Sequence, residues 1–174
     1  MNIAHKWMAL IGLAFAVQAQ EAAPLFPFVI SYDGPDNASS VAHLLDAPAG
    51  LGRGFQLATC AADRCVVVTT ADASSLRDAQ HTVMELDRFP SGALHLVVNR
   101  VRKKLLRQLH ATIDDAIDKA GLPLLGVVPE DDALPLCMNR GVPILLADGQ
   151  SAATAYRNIA KRLQGERVPL LRIR

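Results

Sequence analysis

The sequence predicts an α/β fold in which a parallel β-sheet lies between two layers of helices. Apolar segments of strand length alternate along the chain with amphipathic segments of helix length, which is the pattern of βαβ units. Apolar residues make up 51% of the chain and aromatic residues only 5%, so the core is aliphatic, as in a sheet buried on both faces. A length of 174 residues suits one domain.

The regular part of the pattern begins at residue 41. It predicts strands at 41–46, 65–70, 93–101 and 124–128, and helices at 55–62, 74–87, 112–121 and 151–163. Thr112 is suited to cap the third helix and Gly121 to end it. Upstream, residues 25–31 can form one more strand, which Pro27 places at a sheet edge.

Charge and cysteine content exclude little. A net charge of +1 favours neither nucleic acid nor a strongly acidic partner. The three cysteines, Cys60, Cys65 and Cys137, lack metal-site spacing. Reduced thiols are favoured, although a Cys60–Cys65 bridge stays open. The five histidines show no ligand or triad spacing, and His95 is interpreted as a structural residue within a strand.

The first 19 residues have the features of a secretory signal peptide. Residues 1–6 carry a lysine, residues 7–17 are apolar, and residues 17–19 offer a small-residue cleavage site. A chance apolar leader or a misassigned start remains an alternative. A true signal would mean export, whereas the reduced thiols and the α/β body favour the cytoplasm. Apart from the possible strand at 25–31, residues 20–42 match no recognised pattern.

An aspartate follows the first regular strand. Residues 44–50 read LLDAPAG, so an apolar segment ends at Asp46 and a turn follows. A parallel strand presents such a carboxylate at the carboxyl edge of the sheet, where it can steady Mg²⁺ beside a phosphate loop. An aspartate that merely begins a turn is the equal alternative. The sequence contains no Gly-Lys pair, and none of its five lysines lies in a Gly-rich turn.

Nine short stretches together resemble the MinD/ParA family of deviant P-loop ATPases. They are LLDAPAG (44–50), GF (54–55), VVVTT (66–70), SSLRDA (74–79), LVVNRV (96–101), TIDDAI (112–117), LLGVVPEDDA (124–133), NRG-P (139–143) and AYRNIAKRLQGERVPL (155–170). The resemblance covers about residues 43–170 and implies that residues 43–174 are the C-terminal part of a nucleotide-binding domain. Members bind ATP and Mg²⁺ at the carboxyl edge of a parallel sheet. They form ATP-sandwiched dimers, associate with the inner face of the membrane and help to place the division septum.

The resemblance implies a phosphate side of the site. Asp46 matches an aspartate that acts as an outer-sphere partner of Mg²⁺, and Pro48, Ala49 and Gly50 match a turn beside the γ-phosphate. An ordinary loop remains the alternative for that turn.

It also implies a base side. Asn99 and Arg100 match the pair that recognises adenine, and Pro129, Glu130 and Asp131 match the loop that closes over the base. A polar strand end and the start of a helix are the corresponding alternatives. Residues 74–87 match a partner-facing helix, whose exposed charges would be Arg77, Asp78 and Glu85, although a solvated surface explains those charges equally well.

The departures from the family shape the functional expectation. The lysine-bearing phosphate loop, with its strand and helix, is absent from the sequence, so we expect no ATP hydrolysis by this chain alone. Residues 25–31 are expected to fill the vacated place beside the strand that ends at Asp46. Residues 168–174 are too short for an amphipathic helix, which argues against direct membrane association.

Two functional hypotheses follow. The first is a truncated ATPase of septum placement, located in the cytoplasm or peripherally at the inner membrane face, with ATP and Mg²⁺ as cofactors by resemblance. The alternative is a module without a phosphate loop that pairs with a full-length homologue. Division-site regulators are expected partners of either, and no nucleic acid is indicated.

Overall fold

The computed structural model describes residues 26–31, 43–47, 50–60, 62–90, 92–108, 112–146, 151–171 and 173, with the backbone alone for 26–31 and 43–44. The strands are Phe26–Ser31 (β1), His43–Asp46 (β2), Arg64–Thr69 (β3), Leu94–Val101 (β4) and Leu124–Pro129 (β5). The helices are Arg53–Cys60 (α1), Ala73–Met84 (α2), Lys103–Gln108 (α3), Ile113–Ala120 (α4), Ala133–Asn139 (α5) and Ser151–Leu163 (α6), with a 3-10 turn at Ile144–Leu146. The leader-like residues 1–19 lie outside the described residues.

The described strands form one sheet in the order β2-β1-β3-β4-β5. The pairs β3–β4 and β4–β5 are parallel, which confirms the predicted parallel sheet for these three strands. In contrast, β1 runs antiparallel to both of its neighbours. Because β2 and β3 are both antiparallel to β1, they run in the same direction as each other. All of β2, β3, β4 and β5 therefore point the same way. The carboxyl ends of these four strands therefore share one edge.

The position of β1 confirms one expectation and corrects another. It fills the place beside the strand that ends at Asp46, as expected for residues 25–31. The expectation that Pro27 marks a sheet edge was wrong, because β1 lies between two strands. Pro27 pairs with Val67 of β3, whereas pairing with β2 begins only at Phe28. A residue without an N–H group is tolerated here because one of its two sides has no strand partner.

Two aliphatic clusters pack on opposite faces of the sheet. One holds residues from α6 and the 3-10 turn against Val66, Val97 and Val128. The other holds residues from α1, α2 and α4 against Val67 and Val98. Alternate residues of β3 face opposite clusters, as the two-residue period of a strand requires. The chain is therefore three layers deep, with the sheet buried in the middle.

Local sequence signals set the ends of the helices. Thr112 caps α4 through a reciprocal arrangement with Asp115, in which the Thr112 hydroxyl accepts from the Asp115 N–H at 3.1 Å and the Asp115 carboxylate accepts from the Thr112 N–H at 2.6 Å. Gly121 ends the helix in the left-handed conformation with φ 66°. Both predicted ends of α4 are confirmed, and the predicted range 151–163 coincides with α6.

Two short helices were not predicted. The helix α3 begins two residues after β4, and α5 begins four residues after β5. Neither helix contains a buried residue, so neither shows the apolar periodicity on which prediction depends. The cysteines agree with the expectation, since all three are free, with Cys65 buried and Cys60 exposed. Burial raises the pKa of the Cys65 thiol to about 12, while the charge of Arg88 acts weakly in the opposite direction.

None of the helices that the structure describes has the length and apolar composition needed to cross a membrane.

Substitution of Gly126 by alanine tests the contact between β5 and α6. A Cβ at Gly126 would overlap Ile159 Cγ1 and lie 2.8 Å from Ile159 Cδ1. Ile159 is 3% exposed and β-branched, so it cannot move away freely. We expect Gly126→Ala to lower the free energy of unfolding by about 1–3 kcal/mol, measured by urea denaturation. Gly52→Ala is the control, because a Cβ there meets nothing within 4 Å. Equal stability of the two variants would contradict this packing.

Candidate functional site

A β-bulge near the carboxyl end of β4 places Arg100. The pairing of β4 with β5 shifts register between Val98 and Val101, which leaves Asn99 and Arg100 out of the ladder. Arg100 has φ 53°, in the left-handed region that residues other than glycine rarely adopt. Its N–H group donates to the side-chain oxygen of Asn99 at 2.9 Å, which supports the strained turn. Bulges of this kind redirect side chains beside functional sites.

Glu130 forms an ion pair with the guanidinium of Arg100. Arg100 Nε lies 3.1 Å from Glu130 Oε2, and Arg102 Nη2 lies 3.3 Å from Glu130 Oε1. The main-chain N–H of Glu130 also donates to the carbonyl of Val101 at 3.1 Å. Glu130, the residue that follows β5, thus contacts three consecutive residues, 100–102, where β4 ends. The predicted residues Asn99, Arg100 and Glu130 are brought together here.

The two arginines determine the charge state of Glu130. Partial burial by itself raises the pKa of this carboxyl, but the hydrogen bonds and charges of Arg100 and Arg102 outweigh burial, and the net pKa lies below its ordinary value. Glu130 is therefore ionised at neutral pH. It neutralises one of two positive charges at the edge of the sheet.

A pocket of about 300 Å³ opens beside this ion-paired group. Its walls come from the loop after β3, from the end of β4 and from α3, and the lining residues are Thr70, Ala71, Asp72, Arg100, Val101, Arg102, Leu105, Leu106 and Glu130. The wall is apolar on the α3 side and charged at Arg100 and Glu130. A small planar group with polar edges matches that combination.

The wall after β3 is held by its own hydrogen bonds. Asp72 caps α2, accepting from the Ser75 N–H at 3.0 Å and from the Ser75 hydroxyl at 2.8 Å, and the Thr70 hydroxyl also donates to it. Burial raises the pKa of Asp72, but these hydrogen bonds together lower it by more than burial raises it, so the net shift is downward. Asp72 therefore stays ionised and serves the helix as well as the pocket.

Sequence reasoning missed several of these wall residues. Thr70, Asp72 and Arg102 were not predicted as site residues. Arg102 stands two positions after Arg100, a spacing that puts side chains on one face only where a strand continues regularly, and β4 ends at Val101. Asp72, three residues before Ser75, has the spacing of a helix cap. Both signals are present in the sequence, but neither by itself indicates a ligand.

The carboxylate of Asp131 accepts hydrogen bonds from the amino ends of two helices. Its Oδ1 accepts from the N–H of Ala133 at 3.1 Å, and its Oδ2 accepts from the Ala152 N–H at 3.1 Å and the Ser151 hydroxyl at 3.2 Å. The carboxylate caps α5 and α6 together, and Asp131 does not line the pocket. This arrangement favours the structural interpretation, with a helix start at this position. Pro129, the last residue of β5, pairs with Val101 at the site.

The phosphate-side residues lie apart from the pocket. Asp46 ends β2, which is three strand spacings from β4, or about 14 Å. Asp46 is exposed overall, but the part of its surroundings that excludes water raises the pKa of its carboxyl. Gly50 is exposed in a turn with φ 83°, a conformation that favours glycine. Pro48 and Ala49 lie outside the described residues.

The described residues fit a nucleotide base better than its phosphates or Mg²⁺. Lys103 and Lys104 open α3, while Lys119 and Lys161 lie in the last turns of α4 and α6, so none of them cradles a phosphate from a Gly-rich turn. In the part of the chain that the structure describes, no three His, Cys, Asp or Glu side chains are grouped to hold a metal ion. Asp46 is therefore not part of a grouped set of metal ligands among the described residues.

The predicted partner-facing helix has the expected exposed charges. Arg77, Asp78 and Glu85 are exposed, and Met84 beside them is 73% exposed. The opposite face of α2 is buried, including Leu76 and Ala79. An exposed surface fits a partner role and a solvated role equally, so the partner role stays a prediction.

Comparison with known proteins gives a consistent group of relatives. No protein-family model matches the chain. The chain is 38% identical to the septum site-determining protein MinD of Bacillus subtilis over 129 residues, which is 73% of this chain and 48% of that protein. It is 34% identical to MinD of a Synechocystis species over 131 residues, which is 74% of this chain and 49% of that protein. The chain thus spans about half the length of the curated relatives it matches.

Solved structures show the same similarity. A chain of the MinC:MinD cell division protein complex of Aquifex aeolicus aligns with a TM-score of 0.67 and 33% identity, covering 73% of this chain and 53% of that chain. MinD of Pyrococcus horikoshii complexed with Mg-ADP aligns with a TM-score of 0.58 and 26% identity, covering 68% of this chain and 48% of that chain.

The fold and its structural neighbours define an α/β protein of the P-loop NTPase type. Within that class, the matched part of the chain is of the MinD type and is similar to the C-terminal part of MinD.

Replacement of Asp131 by alanine tests its role as a double cap. Asp131→Ala removes acceptors from the first turns of α5 and α6, so we expect a loss of about 1–2 kcal/mol in the free energy of unfolding. Asp132→Ala is the matched control, because Asp132 makes no side-chain capping bond and we expect a change within about 0.5 kcal/mol. Similar losses in both variants, measured by urea denaturation, would refute the capping role.

The Glu130 ion pairs predict a pH dependence. Because the folded pKa of Glu130 is lowered, its contribution to stability is fully present above the unfolded pKa of about 4.3. That contribution is lost as the pH falls through the folded pKa. We expect Glu130→Gln to destabilise the protein at pH 7 by up to about 1 kcal/mol, since the pairs are partly exposed. Urea midpoints measured from pH 7 to pH 3.5 should converge for the two proteins, and a constant difference would contradict this assignment.

Proposed function

We propose that this protein binds a purine nucleotide weakly, through its base, and acts in division-site placement by pairing with a MinD-like protein. The observation that carries the proposal is the pocket between α3 and the Arg100–Glu130 pair. It lies at the carboxyl edge of the parallel strands, which is where α/β sheets bind ligands. The division-site role is supported by the names of the relatives, which are septum site-determining proteins.

The pocket can recognise the base of a nucleotide in two ways. Arg100 and Glu130 supply N–H donors and carboxylate acceptors at its mouth, while Leu105 and Leu106 supply an apolar wall for a ring. Asn99 does not line the pocket but precedes Arg100, whose N–H donates to the Asn99 side-chain oxygen, so the Asn99 amide NH₂ group is the part that could pair with a base extending beyond the pocket. Adenine, which presents ring nitrogens as acceptors, suits such a donor. The MinD of Pyrococcus horikoshii, solved with Mg-ADP, supports a nucleotide as the ligand class.

We further propose that the chain by itself does not hydrolyse ATP. The described lysines lie on α3, α4 and α6 rather than in a phosphate-binding turn. Without a cation preorganised at the γ-phosphate, the charge that develops in phosphoryl transfer is not stabilised. Affinity should then depend on the base and hardly on the number of phosphates.

The first of the two hypotheses from the sequence, a truncated ATPase of septum placement, is less well supported by the sheet than the pairing module. The strand β1 already occupies the interior position between β2 and β3. A sheet completed in this way can present its surface to a partner without a phosphate-loop strand. The MinC:MinD complex among the structural neighbours supports association with a division protein as the mode of action.

Nucleotide titration tests the base pocket. We expect fluorescent ADP and ATP analogues to bind the full chain with dissociation constants within about threefold of each other, a difference below 1 kcal/mol. Arg100→Gln should weaken both by about tenfold, because a hydrogen bond to a charged group is lost. Arg77→Gln, an exposed arginine on α2, is the matched control and should bind as the wild type does. An unchanged affinity of Arg100→Gln would remove the pocket from the site.

Hydrolysis and partner capture separate the two hypotheses. Phosphate release by the purified chain should equal the background, and turnover that Asp46→Ala abolishes would overturn the inactive assignment. Purified Bacillus subtilis MinD, the relative that is 38% identical, is a suitable partner for co-purification in the presence of ATP. Failure of the two proteins to associate would leave nucleotide binding intact but reject the pairing role.

A further inference from the structure

A second pocket, of about 510 Å³, opens at the amino ends of β4 and β5, on the edge of the sheet opposite the candidate nucleotide site. It is lined by His95, by residues 123–125 of the approach to β5, by Arg162 of α6 and by residues 165–169 after that helix. Its volume is in the range of ligand pockets. Neither the family resemblance nor the nucleotide site accounts for it.

The surroundings of this amino-edge pocket carry an excess of positive charge. Arg162 and Arg167 line it, and Glu166 is the single acidic lining residue. Arg64, at the start of β3, is held nearby by its bond to the carbonyl of Leu163 at 3.2 Å. Two arginines in the lining and Arg64 nearby thus outnumber the one acidic lining residue, which favours an anionic occupant.

Arg162 is fixed in place and still has donors to offer. Its Nη1 donates to the Val168 carbonyl at 2.8 Å and its Nη2 to the Leu124 carbonyl at 3.2 Å. A guanidinium carries five N–H groups, so these two bonds leave three. Its Nε is enclosed and has no hydrogen-bond partner among the described residues. The two carbonyl bonds orient the group in advance, which lowers the entropy that an anion must overcome to bind.

His95 lies beside these arginines. Its Nδ1 is also enclosed without a hydrogen-bond partner among the described residues. Burial lowers the pKa of His95 most, the charges of Arg64 and Arg162 lower it further, and a main-chain contact to Ala93 opposes them. The imidazole therefore lies in a positive field that disfavours its own protonation.

We propose that the amino-edge pocket binds a tetrahedral oxyanion of the phosphate class, held by Arg162 and Arg167, with His95 taking up a proton as the anion binds. A phosphate group offers more acceptor oxygens than a carboxylate, and its double negative charge matches the excess of guanidinium groups. Bound there, it cancels the field at His95 and makes the protonated imidazole favourable, since a nearby opposite charge stabilises the charged form.

A histidine titration tests this site in the full chain. The imidazole proton resonances of His95 are followed by NMR from pH 5 to pH 8, with and without inorganic phosphate, and sulfate serves as a dianion that does not itself titrate in this range. We expect either anion to raise the pKa of His95 by at least about half a unit. Exposed His81 on α2 is the internal control and should not move. Sodium chloride at matched ionic strength should produce a smaller shift, because it only screens the arginines.

Two variants and one further anion complete the test. Arg167→Gln should weaken phosphate binding by about tenfold while leaving the thermal unfolding midpoint unchanged, because Arg167 is exposed. Arg77→Gln, equally exposed, should bind phosphate as the wild type does. The proposal is overturned if His95 responds no more than His81, if chloride matches sulfate, or if Arg167→Gln binds normally. An acetate effect as large as that of sulfate would overturn the preference for a tetrahedral anion.

Discussion

The pairing of β4 with β5 is the interaction on which the rest of the structure depends. These two parallel strands hold the apolar residues of both core clusters, since Val97 and Val128 face one layer of helices and Val98 and Val127 face the other. The same pairing brings the carboxyl ends of both strands to a common edge, so that Arg100 in the bulge of β4 meets Glu130 after β5. A buried hydrophobic contact along the strands thus fixes the geometry of charged groups at their ends. Loss of register by one residue would exchange the two faces and separate that ion pair.

Polar groups at the two edges of the sheet are used in different ways. At the carboxyl edge, three carboxylates have defined sets of donors: Glu130 has two arginines, Asp131 has two helix ends, and Asp72 has the first turn of α2. At the amino edge, guanidinium groups bind main-chain carbonyls and outnumber the acids. The electrostatic asymmetry of the sheet therefore runs along its strands, from an excess of arginine at the amino ends to arginine–carboxylate pairs at the carboxyl ends.

The sequence predicted the parts of the fold that have a strong periodic signal. The buried strands β3, β4 and β5, and the helix α6 with its thirteen residues, were recognised because their apolar residues recur at the spacing of the element. The helices α3 and α5 were missed because their short lengths bury no residue. The interior position of β1 was expected from the resemblance, but its antiparallel direction has no signal in composition or spacing. Register and direction are properties of pairing, which a single strand does not encode.

The closeness of three predicted site residues follows from the topology of the sheet, whereas their role in binding stays a prediction. Asn99, Arg100 and Glu130 came together because strand ends meet at one edge, as the parallel topology requires. Asp131 has the right position in sequence, yet its carboxylate turns toward α6, a contact 21 residues away that no local pattern indicates. Asp46 remains distant from the pocket because two strands stand between β2 and β4. Among the strands that the structure describes, β2 pairs only with β1. The amides of β2 are therefore protected from hydrogen exchange only while β1 is paired with β3. A local opening of β1 would separate Asp46 from the sheet while β3, β4 and β5 remain folded.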